Sequence, residues 1–281
     1  MSPPTCGEST GVFYLVRSSN PLDLTRRFAE SYLRYPAGTD HRLALIFKGF
    51  QNNRQIAEHC SLFGGAALCV IDLPDVGYDI EAYRAALERS ECELCCFFNS
   101  YSIIRASGWL AEFSRCARDP RVGIVGATGS YESALTGAVA RLRAEERGLC
   151  MLRRVLSVVK VWTWCPAFPN PHIRTNGFMI RRDVSQRVRW PRNPSRIAAL
   201  RFESGRRSLT RQVLEMGLDL VIVGSDGRRF GISEWPSSGT FRQDEQRNLL
   251  VADNRTIEYS AATPELRRQL AAAAWGSDAA R

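Results

Sequence analysis

The stretch that decides the fold is residues 94–130, LCCFFNSYSIIRASGWLAEFSRCARDPRVGIVGATGS. It opens with five apolar residues, Leu94–Phe98, and runs into the polar turn Asn99-Ser100-Tyr101-Ser102. A helical pattern over Trp109–Ala117 follows, and a second apolar run, Val122–Val125, ends in Gly126-Ala127-Thr128-Gly129. An unbroken apolar strand is buried on both faces, and a helix between two such strands is a parallel crossover.

The same unit repeats upstream. Val12–Val16, Leu43–Phe47 and Ala67–Ile71 read as strands. Between them lie a helix opened by Pro21, with Leu24, Phe28 and Tyr32 on one face, and another around Gln55–Phe63. Asp79 reads as the N-cap of a third helix through Ile80, Tyr83, Ala86 and Leu87. The predicted fold is α/β, a doubly wound, mostly parallel sheet.

After Ser130 the rhythm changes. Residues 134–160 read as helical and Arg-rich, 165–171 (CPAFPNP) as a Pro-rich loop, and Phe178–Ile180 as a short strand. Arg187–Ser195 reads as loop, Ser208–Met216 as a helix stopped by Gly217, and Leu220–Val223 as a strand. Pro264–Trp275 reads as an Ala-rich helix. The expectation is one domain: a ligand-binding half over 12–130, a mixed half over 131–263, and a C-terminal helix and tail over 264–281.

Composition narrows the function classes. In 281 residues, 44% are hydrophobic and 24% charged, which excludes disorder or coiled coil as the main state. No apolar stretch approaches the ~20 residues of a transmembrane helix. The first ten residues show no secretory signal, so a cytoplasmic location is expected. Nine cysteines without a signal argue against a disulfide framework. Cys92 and Cys95 form a CxxC without a second pair or a nearby histidine, so they read as core.

The net charge is +9, and residues 141–211 alone carry seventeen Arg or Lys against Glu145, Glu146, Asp183 and Glu203. Such a block suits a polyanion: a nucleotide diphosphate, an anionic membrane surface, or nucleic acid. No nucleic-acid module is recognisable, so nucleic acid rests on charge alone.

Ligands of open α/β sheets bind at the carboxyl ends of the strands. Here those ends carry Ser18 and Asn20, Lys48, Asp72, and Asn99 with Ser100. Ser, Asn, Asp and Lys at adjacent ends suit a ribose and a diphosphate. No G-x-G-x-x-G, P-loop, G-x-S-x-G or HExxH motif is present.

The order of these segments resembles the GT-A fold of inverting glycosyltransferases, family-2-like and bacterial rhamnosyltransferase-like. The resemblance covers about residues 12–225. It rests on FYLVRSSNP (13–21), GYDIEAYRAAL (77–87), LCCFFNSYS (94–102), GWLAEFSRCARDPRVGIVGA (108–127) and RFESGRRSLTRQVLEMGLDLVIV (201–223). It implies a nucleotide-sugar donor over Ser18, Asn20, Lys48, Asp72, Asp79, Asn99 and Ser100. It implies a glycan or lipid-linked acceptor near Asn176 and Trp235; Trp235 itself reads either as a face for a sugar or as a core Trp anchoring the C-terminal segment. It implies Glu203 as the general base; the other reading of Glu203 is an ion pair with Arg201, Arg206 or Arg207. The family's D-x-D is missing, and Asn99-Ser100-Tyr101 stands in its place. The family implies Mg²⁺ or Mn²⁺, whereas the residues assign no metal ligand. Two further readings stay open: a binding module without catalysis, and a nucleotidyltransferase-like enzyme.

Overall fold

The computed structural model describes residues 9–66, 68–143 and 149–276. The first elements are β1 (Thr10–Arg17), α1 (Leu22–Arg34), β2 (Arg42–Lys48), α2 (Asn53–Ser61), β3 (Leu68–Leu73), α3 (Asp79–Arg89) and β4 (Leu94–Phe98). Next come β5 (Ile103–Ile104), α4 (Trp109–Ala117), β6 (Val122–Gly126), β7 (Gly129–Ser130), α5 (Ala134–Arg143) and α6 (Leu149–Trp162). The chain continues through β8 (His172–Ile173), β9 (Gly177–Arg181), α7 (Arg182–Arg187), α8 (Arg196–Ser204) and α9 (Leu209–Glu215). It closes with β10 (Asp219–Val223), β11 (Arg229–Gly231), a 3₁₀ turn over Ile232–Ser237, β12 (Val251–Ala252), α10 (Asn254–Ala261) and α11 (Pro264–Trp275).

Eight strands form one sheet in the order β11-β10-β6-β9-β4-β1-β2-β3. Strands β1, β2, β3, β4, β6 and β10 run one way; β9 and β11 run against them. The expected α/β class, mostly parallel and mixed in its second half, is the architecture found. Strand β9 lies between β4 and β6 and pairs with both.

Alternation along each strand builds two cores. Phe13, Leu15, Ile46 and Phe97 face a layer containing Tyr83 of α3, Val184 of α7, Phe202 of α8 and Val213 of α9. Tyr14, Phe47 and Phe98 face Phe28 of α1, and Trp109 and Phe113 of α4. Tyr14 and Phe28 stack with centroids 3.8 Å apart. Helices on both faces remove the sheet from water, which is why β4 reads as LCCFF with no polar position. Cys92, Cys95 and Cys96 are buried thiols of this core.

Several local expectations change. Asp79 is the first residue of α3 rather than its cap; Tyr78 occupies the cap position and bonds no helical amide through its side chain. Strand β3 is described from Leu68, and residue 67 lies outside the described residues. The helix expected over 134–160 is described as α5 and α6, with 144–148 outside. The tail 277–281 is also outside. Helix α8 was expected as neither helix nor strand; Ser195 caps it, accepting from the Ala198 amide at 3.3 Å. No helix among the described residues is long and apolar enough to cross a membrane.

Candidate functional site

The rim formed by the carboxyl ends of the parallel strands gathers charge from both halves of the chain. Strand alternation that buries Phe13 and Leu15 against α3 turns Arg17 toward the same side. Arg17 pairs with Asp79 at 3.4 Å. One strand over, alternation through Ala44 and Ile46 brings Lys48 to that side. Its side chain is 1% exposed, pairs with Asp75 at 3.3 Å and donates to the Gly77 carbonyl. Burial, helped by Arg17, pushes the ammonium below its ordinary pKa, while Asp75 and Asp79 pull it back up. Gly49, at φ +80°, lets the chain turn under this cluster; a Cβ there would lie 2.8 Å from Ser18 Oγ and from Asp75 Cβ.

Strand β9 runs against its neighbours, so its beginning lies at this rim. The residues just before it are Thr175 and Asn176. Thr175 Oγ1 donates to Glu203 Oε1 at 3.0 Å, and the Thr175 carbonyl accepts from the Tyr83 hydroxyl at 3.2 Å. Glu203 projects inward from α8. Burial lifts its carboxyl to about 7, against the Thr175 bond; Asp79 lifts it further and Arg174 opposes. Burial also raises Asp79, against the pull of Arg17 and Lys48. Tyr83 is raised well above its ordinary range by burial, then by Asp79 and Glu203. Asp79 and Glu203 thus lie within electrostatic reach of Tyr83, and Arg17 and Lys48 within reach of Asp79.

Three N–H donors at this rim are buried without a partner: Arg17 Nε, Asn20 Nδ2 and Asn176 Nδ2. A buried unpaired donor costs free energy unless an acceptor reaches it. A ligand rich in oxygen acceptors is the chemistry they match.

Behind the rim lies a second buried network. Arg174 pairs with Asp253 at 2.6 Å and donates to Thr128 Oγ1 at 3.3 Å; Thr128 in turn donates to Asn176 Oδ1 at 2.8 Å. The Arg174 guanidinium lies 4.1 Å from the Phe241 ring centroid. Burial works against the Asp253 charge, yet Arg174 and the Thr256 bonds hold its carboxyl below the usual range.

The structure brings Asn20, Lys48, Asp79, Asn176 and Glu203 to one rim, with the exposed Ser18 beside Lys48; the Ser18 amide donates to the Lys48 carbonyl at 3.0 Å. Asp72 is not brought there. It pairs in register with Phe47, whose side chain faces the other core, and it is exposed on that opposite face. Asp75 and Asp79, a few residues on, supply the carboxylates instead. Trp235 is also corrected: it is fully buried, and its Nε1 donates to the Phe230 carbonyl at 3.1 Å. A Cβ on Gly129 would lie 2.5 Å from its ring, so Trp235 is core and presents no face to a sugar. Glu203 pairs with none of the arginines weighed for it. Arg206 bonds the Trp162 carbonyl at 3.4 Å, and Arg201 lies over the Trp164 ring.

The residues where a D-x-D would stand do not fit a divalent ion. Asn99 Oδ1 accepts from the Tyr101 amide at 3.0 Å and from Ser102 Oγ at 3.1 Å. Ser100 Oγ donates to the Leu15 carbonyl at 2.8 Å. These groups close a turn, and neither is a carboxylate. His172 and Asp253 are engaged too, His172 Nδ1 with the Asn170 carbonyl at 2.9 Å. Among the described residues, no three His, Cys, Asp or Glu side chains cluster as a metal site.

Arg17, Asp75, Arg174 and Thr175 were not singled out from sequence. Arg17 carries a usable signal, standing one turn of alternation beyond Leu15. Arg174 carries none, because its partner Asp253 is 79 residues away.

No protein-family model matches this sequence, and no curated protein matches it at a significant level. Among solved structures, the chain is similar to a mannosyltransferase from Pyrobaculum calidifontis in complex with GDP-Man and Mn²⁺, at 14% identity and TM-score 0.42. That likeness covers 63% of this chain and 46% of the other. Mouse xyloside xylosyltransferase 1 is similar at 12% identity and TM-score 0.43, covering 77% of this chain and 85% of that one. A glucosyl-3-phosphoglycerate synthase from Mycobacterium tuberculosis is similar at 15% identity and TM-score 0.39, covering 63% and 58%. Likenesses of this size assign no activity, which has to be argued from the rim itself.

Proposed function

We infer that the rim binds a nucleotide-sugar donor and that the protein transfers the sugar to a hydroxyl acceptor with inversion. The observation that supports this most is Glu203, a carboxylate lifted to about 7 and held by Thr175 at the same rim as Arg17 and Lys48. In the reaction, the acceptor oxygen attacks the anomeric carbon as Glu203 takes its proton. The bond from that carbon to the diphosphate oxygen breaks, and its electron pair leaves with the diphosphate. A base with a pKa near the working pH suits this step. Arg17 and Lys48 supply positive charge toward the leaving group, and the unpaired donors of Asn20 and Asn176 match ribose or phosphate oxygens.

The resemblance read from the sequence supports a surface glycan or its lipid-linked precursor as acceptor, and the basic block over 141–211 supports contact with an anionic membrane. Asn99 and Ser100, committed to their turn, support the second reading, a module that binds a donor without turning it over.

A panel of sugar nucleotides in thermal-shift assays separates the possibilities. The right donor at a hundred times its Kd stabilises the fold by ~2.7 kcal/mol. Product formation then distinguishes an enzyme from a binding module. Donor affinity, measured by calorimetry, is expected to change little when EDTA is added, because no free carboxylate follows β4. Binding that disappears without Mn²⁺ would show that a metal is held by residues other than Asn99 and Ser100.

A further inference from the structure

Helix α6 carries an apolar stripe on its outside. Leu156, Val159 and Trp162 are 59%, 53% and 60% exposed, and Val155 is exposed on the same face. These positions repeat at three- and four-residue spacing, so they form one face of the helix. The end of α6 is tied to the chain that follows α8. The Arg206 amide donates to the Trp164 carbonyl at 2.8 Å, and the Arg206 guanidinium to the Trp162 carbonyl. Those bonds hold the loop after α8 at the end of α6; on α8 itself Ile197 and Leu200 are exposed as well. Four large apolar side chains facing water on one helix face exceed what a solvated surface carries singly.

Among the described residues, the charged side chains named beside the stripe share one sign. Lys160, Arg196, Arg201, Arg206 and Arg207 are exposed. Arg201 lies 5.8 Å over the Trp164 ring, beside the stripe. Other arginines of the basic block are committed elsewhere: Arg174 to Asp253, Arg181 to the Val122 and Asp119 carbonyls, Arg182 to the Ser90 carbonyl. Arg187, Arg189 and Arg192 are exposed before α8, and Lys160, Arg196, Arg201, Arg206 and Arg207 are exposed on or next to α6 and α8.

We propose that this face docks on an anionic lipid bilayer, with α6 lying in the plane of the headgroups. An apolar helix face with an exposed tryptophan and a basic border is the chemistry of interfacial binding. Charge selects this occupant over a second copy of the chain. A two-fold contact through the stripe would bring two borders of the same positive sign together. Phospholipid headgroups instead neutralise them. The inference stands on the surface alone and does not depend on sugar transfer. Helix α8 carries Glu203 on its inner side, so docking would hold the rim beside the membrane.

The test is sedimentation of the full chain with phosphatidylcholine vesicles, with and without a large fraction of phosphatidylglycerol. The protein is expected to pellet with the anionic vesicles only, and high salt releases it. Leu156→Ser combined with Val159→Ser is expected to weaken this binding about tenfold or more, since it removes the apolar contact. Both positions are exposed, so circular dichroism and melting stay those of wild type. Lys160→Glu weakens it through charge. Brominated lipid is expected to quench tryptophan fluorescence in the wild type and less so in Trp162→Phe. Anionic binding that survives the double serine variant overturns the proposal, because the stripe then plays no part. So does a concentration-dependent dimer that the double variant dissolves without any pelleting; the face would then be a contact between copies.

Discussion

Glu203→Gln is expected to lower turnover by ~10²–10⁴-fold, the usual size of a general-base contribution. The amide keeps the shape and can still accept from Thr175 Oγ1, so donor affinity should stay near wild type. The pH profile provides an independent check. Burial raises the Glu203 carboxyl to about 7, so the basic form is depleted below that pH. In the wild type, kcat/KM should climb with pH up to about 7 and then level. Stability runs the other way. A raised folded-state pKa means that the folded protein binds the extra proton between the unfolded value and about 7, so Glu203's contribution is lost as pH rises through that window. The glutamine variant should therefore melt later than wild type at pH 8, by roughly 1–3 kcal/mol, and lose that advantage in mild acid. A variant that transfers sugar at the normal rate removes Glu203 from the chemistry. One that is both inactive and less stable at every pH would mark it as structural.

Asp253→Ala is expected to produce the largest loss of stability of any change discussed, about 3–5 kcal/mol, by leaving a buried guanidinium without its partner. Asp253 also accepts from the Arg255 and Thr256 amides, at 3.1 and 2.9 Å, as the cap of α10. Asp253→Asn keeps an acceptor for that cap while removing the charge, so it should fall between wild type and alanine in urea unfolding. If the alanine variant lost less than about 1 kcal/mol, the pair would be behaving as an exposed ion pair. The expected loss follows from its burial, since Asp253 is 1% exposed and Arg174 lies between it and the Phe241 ring.

The layered α/β architecture was legible because each buried strand is an unbroken apolar run and each helix shows an apolar face. The rim was legible for the same reason, since a buried strand has to end in polar residues. Which residues face the ligand was less so. Asp72 and Asp75 look equivalent in sequence, but side chains alternate, and registering Leu73 beside Lys48 sends Asp72 to the far face. Trp235 reads in sequence as either a sugar platform or a core residue, and the choice is made by Gly129, whose missing side chain leaves room for the indole to be buried. Helix α8 was missed because its apolar residues do not all point inward: Ala199 and Phe202 do, while Ile197 and Leu200 stay outside. A pattern split between core and surface gives no single periodicity. Arg174 with Asp253 was invisible because only tertiary packing joins them.

The placement of β9 has a consequence for how the chain is made. In the sheet, β4 and β6 are joined through β9, which bonds to each along an opposite edge. A nascent chain that has emerged only as far as residue 170 can zip β3, β2, β1 and β4 together, but β6 has no neighbour to join. The sheet stays in two pieces, with a bare edge on β4, until Gly177–Arg181 arrives and slots between them. One five-residue strand, inserted against the direction of its neighbours, therefore joins the two parts of the sheet and also sets Thr175 and Asn176 at the rim. Fragments cut between β6 and β9 should need each other in solution to assemble.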